Sequence, residues 1–364
     1  MVLSLIFAAI VDHMSDSPQT FKVTIDNITI DVAPGTTILE AARQIGGDVT
    51  PPAMCYYSKL DGSGGKCRTC LCEVSKGSEK DPRPMPKLVA SCRTTVMDGM
   101  EVKNITSEKV PAARAGVVEF LLLNHPLDCP ICDQAGECHL QDLGYEHGAQ
   151  GTRYEFGRRT FDPIDIGPYI KLHMNRCILC YRCVYTADQV GEGERKHGVL
   201  QRGDHAEIAT YIEQSLQNDK IGNVIDVCPV GALTDKTFRF KNRVWFTNPV
   251  NAHRNCDKCC GEVVLWNRGD NVLRVTARKD EWGEVAQAKD GKTGWICNTC
   301  RFETKNTADW TIEGPVTVSR HSVINQGHYE TLVKPNETFT KVLDGRNPKR
   351  LLDIHGVSEV NKKG

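Results

Sequence analysis

The cysteines are the residues of this chain that could do chemistry, because 17 occur in 364 residues and many fall in C-x2-C pairs and triplets. In a secreted chain so many cysteines would predict a disulfide framework, but these spacings are typical of metal and cluster ligands. Such ligands require reduced thiols. The sequence therefore predicts a reducing compartment.

One compact run holds an imidazole and three thiols at the spacing H-x3-C-x2-C-x5-C. Its candidate ligands are His125, Cys129, Cys132 and Cys138. A 4Fe-4S cube takes four such ligands, and a neutral histidine nitrogen can replace one thiolate. Structural zinc is the alternative, but zinc ligands usually form two short pairs separated by a longer loop. We favour the 4Fe-4S cluster and expect the adjacent His139 not to be a ligand.

A second set has the spacing C-x11-C-x2-C-x21-C and consists of Cys55, Cys67, Cys70 and Cys92. The glycine-rich residues 62–65 lead into its close pair and allow backbone amides to approach bridging sulfides. The set predicts a 2Fe-2S cluster, although plant-type ferredoxins have a shorter first gap. Cys72 lies on a predicted strand, and we expect it to be a small buried thiol instead of a ligand.

A third set combines a C-x2-C-x2-C triplet with a distant cysteine followed by proline: Cys177, Cys180, Cys183 and Cys228. This is the ligand pattern of a ferredoxin 4Fe-4S cluster. Two-cluster ferredoxins carry a second triplet, which this chain lacks. Arg176 and Arg182 flank the triplet, where they either point inward and stabilise the reduced cluster or are solvated at the surface.

The last set is two C-x2-C pairs, formed by Cys256, Cys259, Cys297 and Cys300. Pairs separated by a long gap are as typical of structural zinc as of iron. A 4Fe-4S cluster, a zinc ion and an empty site all remain open here. We expect Cys260, beside the first pair, to be a neighbour and not a ligand.

The elements that must position these ligands are a mixture of strands and helices. Alternating residues predict a hairpin over 21–32, and apolar spacing with a threonine cap predicts a helix over 38–45. This opening resembles a β-grasp ferredoxin. A second helix is predicted over 110–124, and short β-branched runs after residue 260 predict a small β domain.

The three ligand sets in this order, together with the Cys-Pro-Val-Gly-Ala-Leu motif at 228–233, resemble the large iron-sulfur subunit of NADH:quinone oxidoreductase, respiratory complex I. The resemblance covers residues of about 20–240. The C-terminal region resembles the first segment of a molybdopterin-enzyme-like domain, whose family pattern has a cysteine where Val263 stands and lacks Cys300. We interpret the chain as a short form without the large molybdopterin-like domain.

The resemblance implies an electron-transfer subunit that is part of a proton-pumping NADH:quinone oxidoreductase and has no substrate site of its own. The implied partners are a flavin-bearing NADH-binding subunit, a ferredoxin-like cluster subunit and quinone-site subunits. The implied location is peripheral, on the cytoplasmic face of the inner membrane, with membrane contact only through partners. Related diaphorase subunits of NAD-linked hydrogenases and formate dehydrogenases are the alternative, and a non-redox zinc scaffold is a third.

The predicted fold class is α+β, with a β-grasp 2Fe-2S ferredoxin domain, a helical segment with the one-histidine, three-cysteine site, a 4Fe-4S ferredoxin-like domain and a small C-terminal β domain. The expected boundaries are 1–19 for an N-terminal extension, 20–110 for the 2Fe-2S domain, 111–160 for the helical segment, 161–245 for the 4Fe-4S domain, 246–305 for the four-cysteine domain and 306–364 for an extended tail.

Several function classes are disfavoured by the composition and motifs. The formal net charge of −1 gives no electrostatic footprint for nucleic acid. No catalytic nucleophile or general base stands in a known constellation, and the loop at 62–66 leads into a cysteine and not into a helix, so it is not a phosphate-binding loop. The apolar run 2–11 is too short to span a bilayer. No catalytic residue is therefore predicted.

Overall fold

The computed structural model describes residues 20–148, 153–155, 157–162, 164, 166–190, 197–210 and 218–316. The predicted N-terminal extension (1–19) and residues 317–364 of the predicted tail lie outside the described residues. The strands are β1 Phe21–Ile25, β2 Ile28–Val32, β3 Leu71–Lys76, β4 Val89–Ala90, β5 Met100–Lys103, β6 Ile170–Leu172, β7 His197–Leu200, β8 Glu207–Thr210, β9 Leu233–Asp235, β10 Asn248–His253, β11 Glu262–Arg268, β12 Asn271–Ala277 and β13 Thr311–Pro315. The helices are α1 Ile38–Ile45, α2 Lys109–Leu122, α3 His139–His147, α4 Arg182–Gln189 and α5 Asn223–Val227, with one π-helical turn, Thr299–Glu303.

The chain divides into two compact units. Unit 1 contains the described residues of 20–53 and 68–114, and unit 2 contains 54–67 and the described residues from 115 to 316. Unit 1 differs from the predicted 2Fe-2S domain of 20–110 because it lacks the segment 54–67 and extends to residue 114. The reason is packing, because Tyr57 and Leu60 belong to a buried core with Trp295 and Ile296 of unit 2.

Unit 1 is a five-stranded sheet in the order β2-β1-β5-β3-β4, with β1 and β5 parallel and the other pairs antiparallel. The predicted hairpin and the predicted helix α1 are confirmed. Thr37 caps α1 in a capping box with Glu40, an arrangement that stabilises a helix by about 1 kcal/mol. The helix packs Ile38, Ala41 and Ala42 into the core of the sheet.

Unit 2 contains a four-stranded antiparallel sheet in the order β12-β11-β10-β13. The β-branched runs of the sequence form β11 and β12, as predicted. Strand β13 lies within the range that was predicted to be an extended tail, so the described part of that range is not all tail. It pairs with β10, with Ala252 opposite Ile312 and His253 opposite Thr311.

The ferredoxin-like part of unit 2 consists of two small antiparallel ribbons, β6 with β9 and β7 with β8, together with α4 and α5. Its core contains Ile170, Leu172, Ile208 and Val224. Within the described ranges, no helix has the length and apolar character needed to cross a membrane. The observed mixed content of helices and strands agrees with the coarse fold class that the sequence predicts.

Candidate cluster and metal sites

The cysteines of the third set line one small cavity in unit 2: Cys177, Cys180, Cys183 and Cys228. Most of the other lining residues are apolar, among them Leu172, Ile208 and Leu233. A cavity with four converging thiols and nonpolar walls has the donor set that a 4Fe-4S cluster takes. The residues present therefore fit the group that the sequence predicts.

The backbone turns sharply between the cysteines of the triplet, all of which line the cavity. Leu179 and Tyr181 both adopt left-handed conformations, with φ of 52° and 64°, and α4 begins directly after Tyr181. The amide of Leu179 donates to the Cys177 sulfur over 3.3 Å. The fourth cysteine follows the end of α5, so two helix ends present the thiols.

Burial keeps these thiols protonated when no metal is bound. It raises the pKa of Cys177, Cys183 and Cys228, and it raises the pKa of Cys180 to about 12. Thiolates are the form that ligates iron, so cluster insertion must release these protons. The positive charge of iron is what makes thiolates stable in such an apolar cavity.

The two arginines beside the triplet point inward, so the alternative of surface solvation is wrong. Arg176 and Arg182 are each only 4% exposed. Arg182 donates to the carbonyls of Tyr56 and Val227, and its charge lowers the pKa of Cys180 against the larger effect of burial. Arg176 pairs with Asp128 at 2.8 Å. Both cations are placed to stabilise added negative charge.

Residues 125–138, which hold the first ligand set, are more exposed to solvent than the cavity of the third set. Cys129 is exposed, whereas Cys132 and Cys138 are buried. Arg243 fixes this loop by donating to the carbonyls of Cys129, Pro130 and Cys132. Burial, assisted by the charge of Arg176, lowers the pKa of His125 to about 4, so its imidazole is neutral at pH 7. A neutral imidazole is the form that binds a metal.

The residue before Cys138 carries an ion pair that sequence reasoning missed. Glu137 accepts two hydrogen bonds from Arg274, at 2.5 and 2.9 Å, and Arg274 is 7% exposed between the rings of Phe238 and Trp266. The two partners are 137 positions apart in the chain. No local signal in the sequence could have found them.

The glycine-rich loop of unit 2 presents Cys55 and Cys67. The amides of Lys66 and Cys67 each donate to the Cys55 sulfur over 3.3 Å, and Gly64 donates to the carbonyl of Cys55. Amide donors aimed at a sulfur stabilise its thiolate form. The loop thus gives this cysteine the environment that a cluster ligand requires.

Unit 1 holds Cys70 and Cys92, the other two members of the predicted 2Fe-2S set, and also Cys72. Cys70 and Cys92 are buried, and the amide of Ser91 donates to the carbonyl of Cys70. Cys72 is fully buried on β3, as predicted, and burial raises its pKa to about 12. Its sulfur lies 3.8 Å from the carbonyl oxygen of Val89.

One apolar core of unit 2 contains cysteines from all three predicted cluster sets. Its buried members include Cys55, Cys67, Cys138 and Cys180, packed with Val118 and Leu140 among others. Cys177 and Cys228 pack against its edge. These candidate ligands therefore share one nonpolar environment.

The C-terminal cysteines form the tightest group. The sulfurs of Cys256, Cys259, Cys297 and Cys300 all lie within 4.8 Å of one another. Cys260 stands outside the group, and its sulfur faces the carbonyls of Glu262 and Trp295. Hydrogen bonds with the thiols of Cys260, Cys297 and Cys300, in that order of effect, lower the pKa of Cys259. The hydrogen bond with Cys259 raises the pKa of Cys297 to about 11.

Three family models match separate parts of the chain. A 2Fe-2S iron-sulfur cluster binding domain matches residues 19–107, the NADH-ubiquinone oxidoreductase-G iron-sulfur binding region matches 114–153, and the ferredoxin-like domain of NADH-quinone oxidoreductase subunit 3 matches 167–234. Every residue of the first three predicted ligand sets falls within one of these matches.

Curated relatives match most of the chain. The G subunit of NADH-quinone oxidoreductase from Rickettsia felis is 41% identical over 92% of this chain and 46% of its own length. The mitochondrial NADH dehydrogenase [ubiquinone] iron-sulfur protein 1 of Solanum tuberosum is 40% identical over 80% of this chain and 36% of its own. The NADH-ubiquinone oxidoreductase 75 kDa subunit of Reclinomonas americana is 38% identical over 92% and 45%. The chain spans about half the length of the curated relatives it matches most fully.

A solved structure shares part of the fold. A chain in the crystal structure of an NAD+-reducing [NiFe]-hydrogenase in the H2-reduced state aligns with a TM-score of 0.52 and 29% identity. The alignment covers 62% of this chain and 91% of the hydrogenase chain.

Proposed function

We propose that this chain, which belongs to the family of the NADH-quinone oxidoreductase G subunit and the complex I 75 kDa subunit, relays electrons through bound iron-sulfur clusters within a larger oxidoreductase. The observation that carries the proposal is the shared core in which Cys55, Cys67, Cys138 and Cys180 pack together. Electrons can pass along a chain of redox centres only if the centres lie close together. A shared apolar core would place the three clusters in this way.

The proposed cofactors are one 2Fe-2S cluster on Cys55, Cys67, Cys70 and Cys92, and two 4Fe-4S clusters. The first cube would be held by His125, Cys129, Cys132 and Cys138, and the second by Cys177, Cys180, Cys183 and Cys228. Bound iron supplies the one-electron redox chemistry, while burial, local charge and hydrogen bonds to sulfur set the potential. The five-stranded sheet of unit 1 supports a β-grasp ferredoxin domain.

The protein's own contribution is to exclude water and to place charge. The apolar walls around Cys180 keep solvent from the second cube, and Arg182 places a buried cation beside that thiol. A fixed positive charge stabilises the reduced, more negative state. Arg176 lies beside the first cube's residues, but Asp128 partly neutralises its charge, so we expect a smaller effect there.

Membership of the family supports a proposal for the partners. We propose that a flavin-bearing NADH-binding subunit delivers electrons to this chain, and that a ferredoxin-like cluster subunit and quinone-site subunits receive them. The complex would be a proton-translocating NADH:quinone oxidoreductase, and this chain would have no substrate site of its own. It would lie peripherally, on the cytoplasmic face of the inner membrane, and contact the membrane only through its partners.

The proposal is tested on the anaerobically purified chain by iron and acid-labile sulfide analysis and by electron paramagnetic resonance after reduction with dithionite. The three clusters predict about 10 irons per chain. Cys138→Ser and Cys183→Ser should each remove one cube and about 4 of those irons. Cys72→Ser is the matched control, because Cys72 is buried but is not a proposed ligand, and it should keep them all. A colourless chain with zinc in place of iron would refute electron transfer and favour the zinc scaffold.

A second candidate is the relay subunit of an NAD-linked hydrogenase, favoured by the alignment with the [NiFe]-hydrogenase chain. The identity of about 40% to quinone oxidoreductase subunits argues for the first candidate. Isolation of the tagged chain from its native cells distinguishes them. Co-purification with membrane subunits supports quinone reduction, and co-purification with nickel supports the hydrogenase.

A further inference from the structure

We propose that Cys256, Cys259, Cys297 and Cys300 bind a single zinc ion as a closed structural site. This inference goes beyond the proposed function and does not depend on it. The three other ligand sets would carry electrons whether the C-terminal group holds zinc, iron or nothing. The reasons for zinc are the distances between the sulfurs, the hydrogen bonds to them and the attachments of the two pairs.

Two of the six sulfur separations match the edge of a tetrahedral zinc site. The Cys256 and Cys297 sulfurs are 3.8 Å apart, and so are those of Cys259 and Cys300. Since a zinc-sulfur bond is about 2.3 Å, the edge of a regular ZnS4 tetrahedron is about 3.8 Å. These two separations equal that edge, and none of the other four exceeds 4.8 Å, so small side-chain adjustments would bring all four sulfurs to bonding distance from one ion.

The same spacing does not fit a cube. In a 4Fe-4S cluster each cysteine binds a different iron, so its four sulfurs must surround the whole inorganic core and lie much farther apart than the ligands of one ion. The chain itself supplies the comparison. Among the described residues, the C-terminal group alone brings three or more metal-binding side chains within 4.8 Å. The sulfurs of the proposed cube ligands Cys177, Cys180 and Cys183 do not form such a close group.

Each C-x2-C pair is built as a knuckle with an amide donor. Gly261 donates to the Cys259 sulfur and Cys300 donates to the Cys297 sulfur, both over 3.4 Å. Gly261 has a φ of 68°, and a Cβ there would overlap the carbonyl oxygen of Arg254, whose amide donates a hydrogen bond to the Gly261 carbonyl. The first knuckle thus depends on glycine, and both knuckles stabilise thiolate charge.

Four protein ligands leave no open coordination position, so the ion would be structural and not catalytic. Both flanks of the second knuckle are attached to α5. Ile296 exchanges two hydrogen bonds with Asn223, and the fully buried Arg301 pairs with Asp226. Because α5 ends next to Cys228, the ion would hold in place the segment that presents this cluster ligand.

The test is the metal content of the full chain, purified anaerobically from cells supplied with both iron and zinc. We expect one zinc per chain beside the cluster iron, and X-ray absorption at the zinc edge should give four sulfur ligands at about 2.3 Å. This measurement uses the unmodified chain, so no variant has to fold. Four additional irons with no zinc, a chain with neither metal at this site, or zinc with ligands other than four sulfurs would each overturn the proposal.

Two variants locate the ion. Cys300→Ser should lower zinc from one equivalent to a small fraction while the iron content stays unchanged. Cys260→Ser is the matched control, since Cys260 lies beside the knuckle but outside the group, and it should keep its zinc. Retention of zinc by Cys300→Ser would place the ion elsewhere and overturn the assignment. Loss of the cluster iron from the unmodified chain would instead count against the proposed function and leave the zinc result standing.

Discussion

The sulfur of Cys132 packs directly against the backbone of Gly231, so that a Cβ at residue 231 would overlap it. Gly231 belongs to the turn that follows Cys228, and the neighbouring carbonyl of Pro229 lies 3.9 Å from the Cys138 sulfur. One short turn therefore carries a ligand of the second proposed cube and contacts two ligands of the first. This contact brings the two proposed redox sites together within unit 2.

Replacement of Gly231 by alanine should disturb the first cube selectively. The added methyl group must displace the Cys132 sulfur, whereas the cavity around Cys180 is lined by Val230 and Ala232 and not by Gly231. We expect Gly231→Ala to lose about 4 irons and the signal of one cube. The measurement is iron content with electron paramagnetic resonance.

Gly198→Ala is the matched control for this substitution. Gly198 lies on β7 in the same unit, and nothing would lie within 4 Å of a Cβ there. It should retain all the cluster iron. If the two alanine variants hold equal amounts of iron, the turn does not constrain Cys132 in the way that the contact implies.

The buried ion pair beside Cys138 gives a second prediction. Glu137→Gln removes the hydrogen-bonded counter-charge of the Arg274 guanidinium between Phe238 and Trp266, and breaking a buried pair in this way costs about 3–5 kcal/mol. We expect a corresponding decrease in the apparent free energy of unfolding in urea, and faster loss of iron from the adjacent site.

An exposed pair supplies the comparison. Asp290 and Lys292 lie 3.0 Å apart with side chains that are 46% and 68% exposed, and solvent screens such a pair so strongly that it contributes little to stability. Asp290→Asn should therefore leave the unfolding curve almost unchanged. An equal effect of both substitutions would show that the Glu137 pair has no special role in unit 2.

Local patterns in the sequence were sufficient where neighbouring residues determine the structure. The hairpin of β1 and β2 and the helix α1 follow from alternation, helical spacing and the cap at Thr37. The candidate ligand sets could be proposed for the same reason, because most of their members lie three positions from another member. The burial of Cys72 followed from its position on a predicted strand.

Long-range packing could not be predicted in this way. Residues 54–67 look like part of the first domain, yet Tyr57 and Leu60 pack in the core of unit 2. Strand β13 is polar and contains Gly314 and Pro315, so it has no strand pattern of its own and forms through pairing with β10. The ion pairs of Glu137 with Arg274 and of Asp226 with Arg301 could not be predicted either, because the partners are distant in the chain.

The buried thiol of Cys72 gives the last prediction, which concerns pH. Burial, reinforced by the nearby charge of Cys70, raises its pKa from 9.0 to about 12. Above pH 9 the unfolded chain loses this proton while the folded chain keeps it, so the unfolded state is favoured as the pH rises. The stability due to the neutral thiol is fully present below pH 9 and falls by about 1.4 kcal/mol per pH unit between 9 and 12.

The variant Cys72→Ala cannot lose this proton, so its stability should fall less steeply over the same range. It should be less stable than the unmodified chain at pH 8, because it leaves a small cavity, and it should approach or exceed the stability of that chain near pH 11. Anaerobic urea unfolding at both pH values measures the difference, with Cys72→Ser as a second variant that does not titrate. Parallel pH profiles for all three chains would mean that the thiol ionises in the folded state as easily as in the unfolded one.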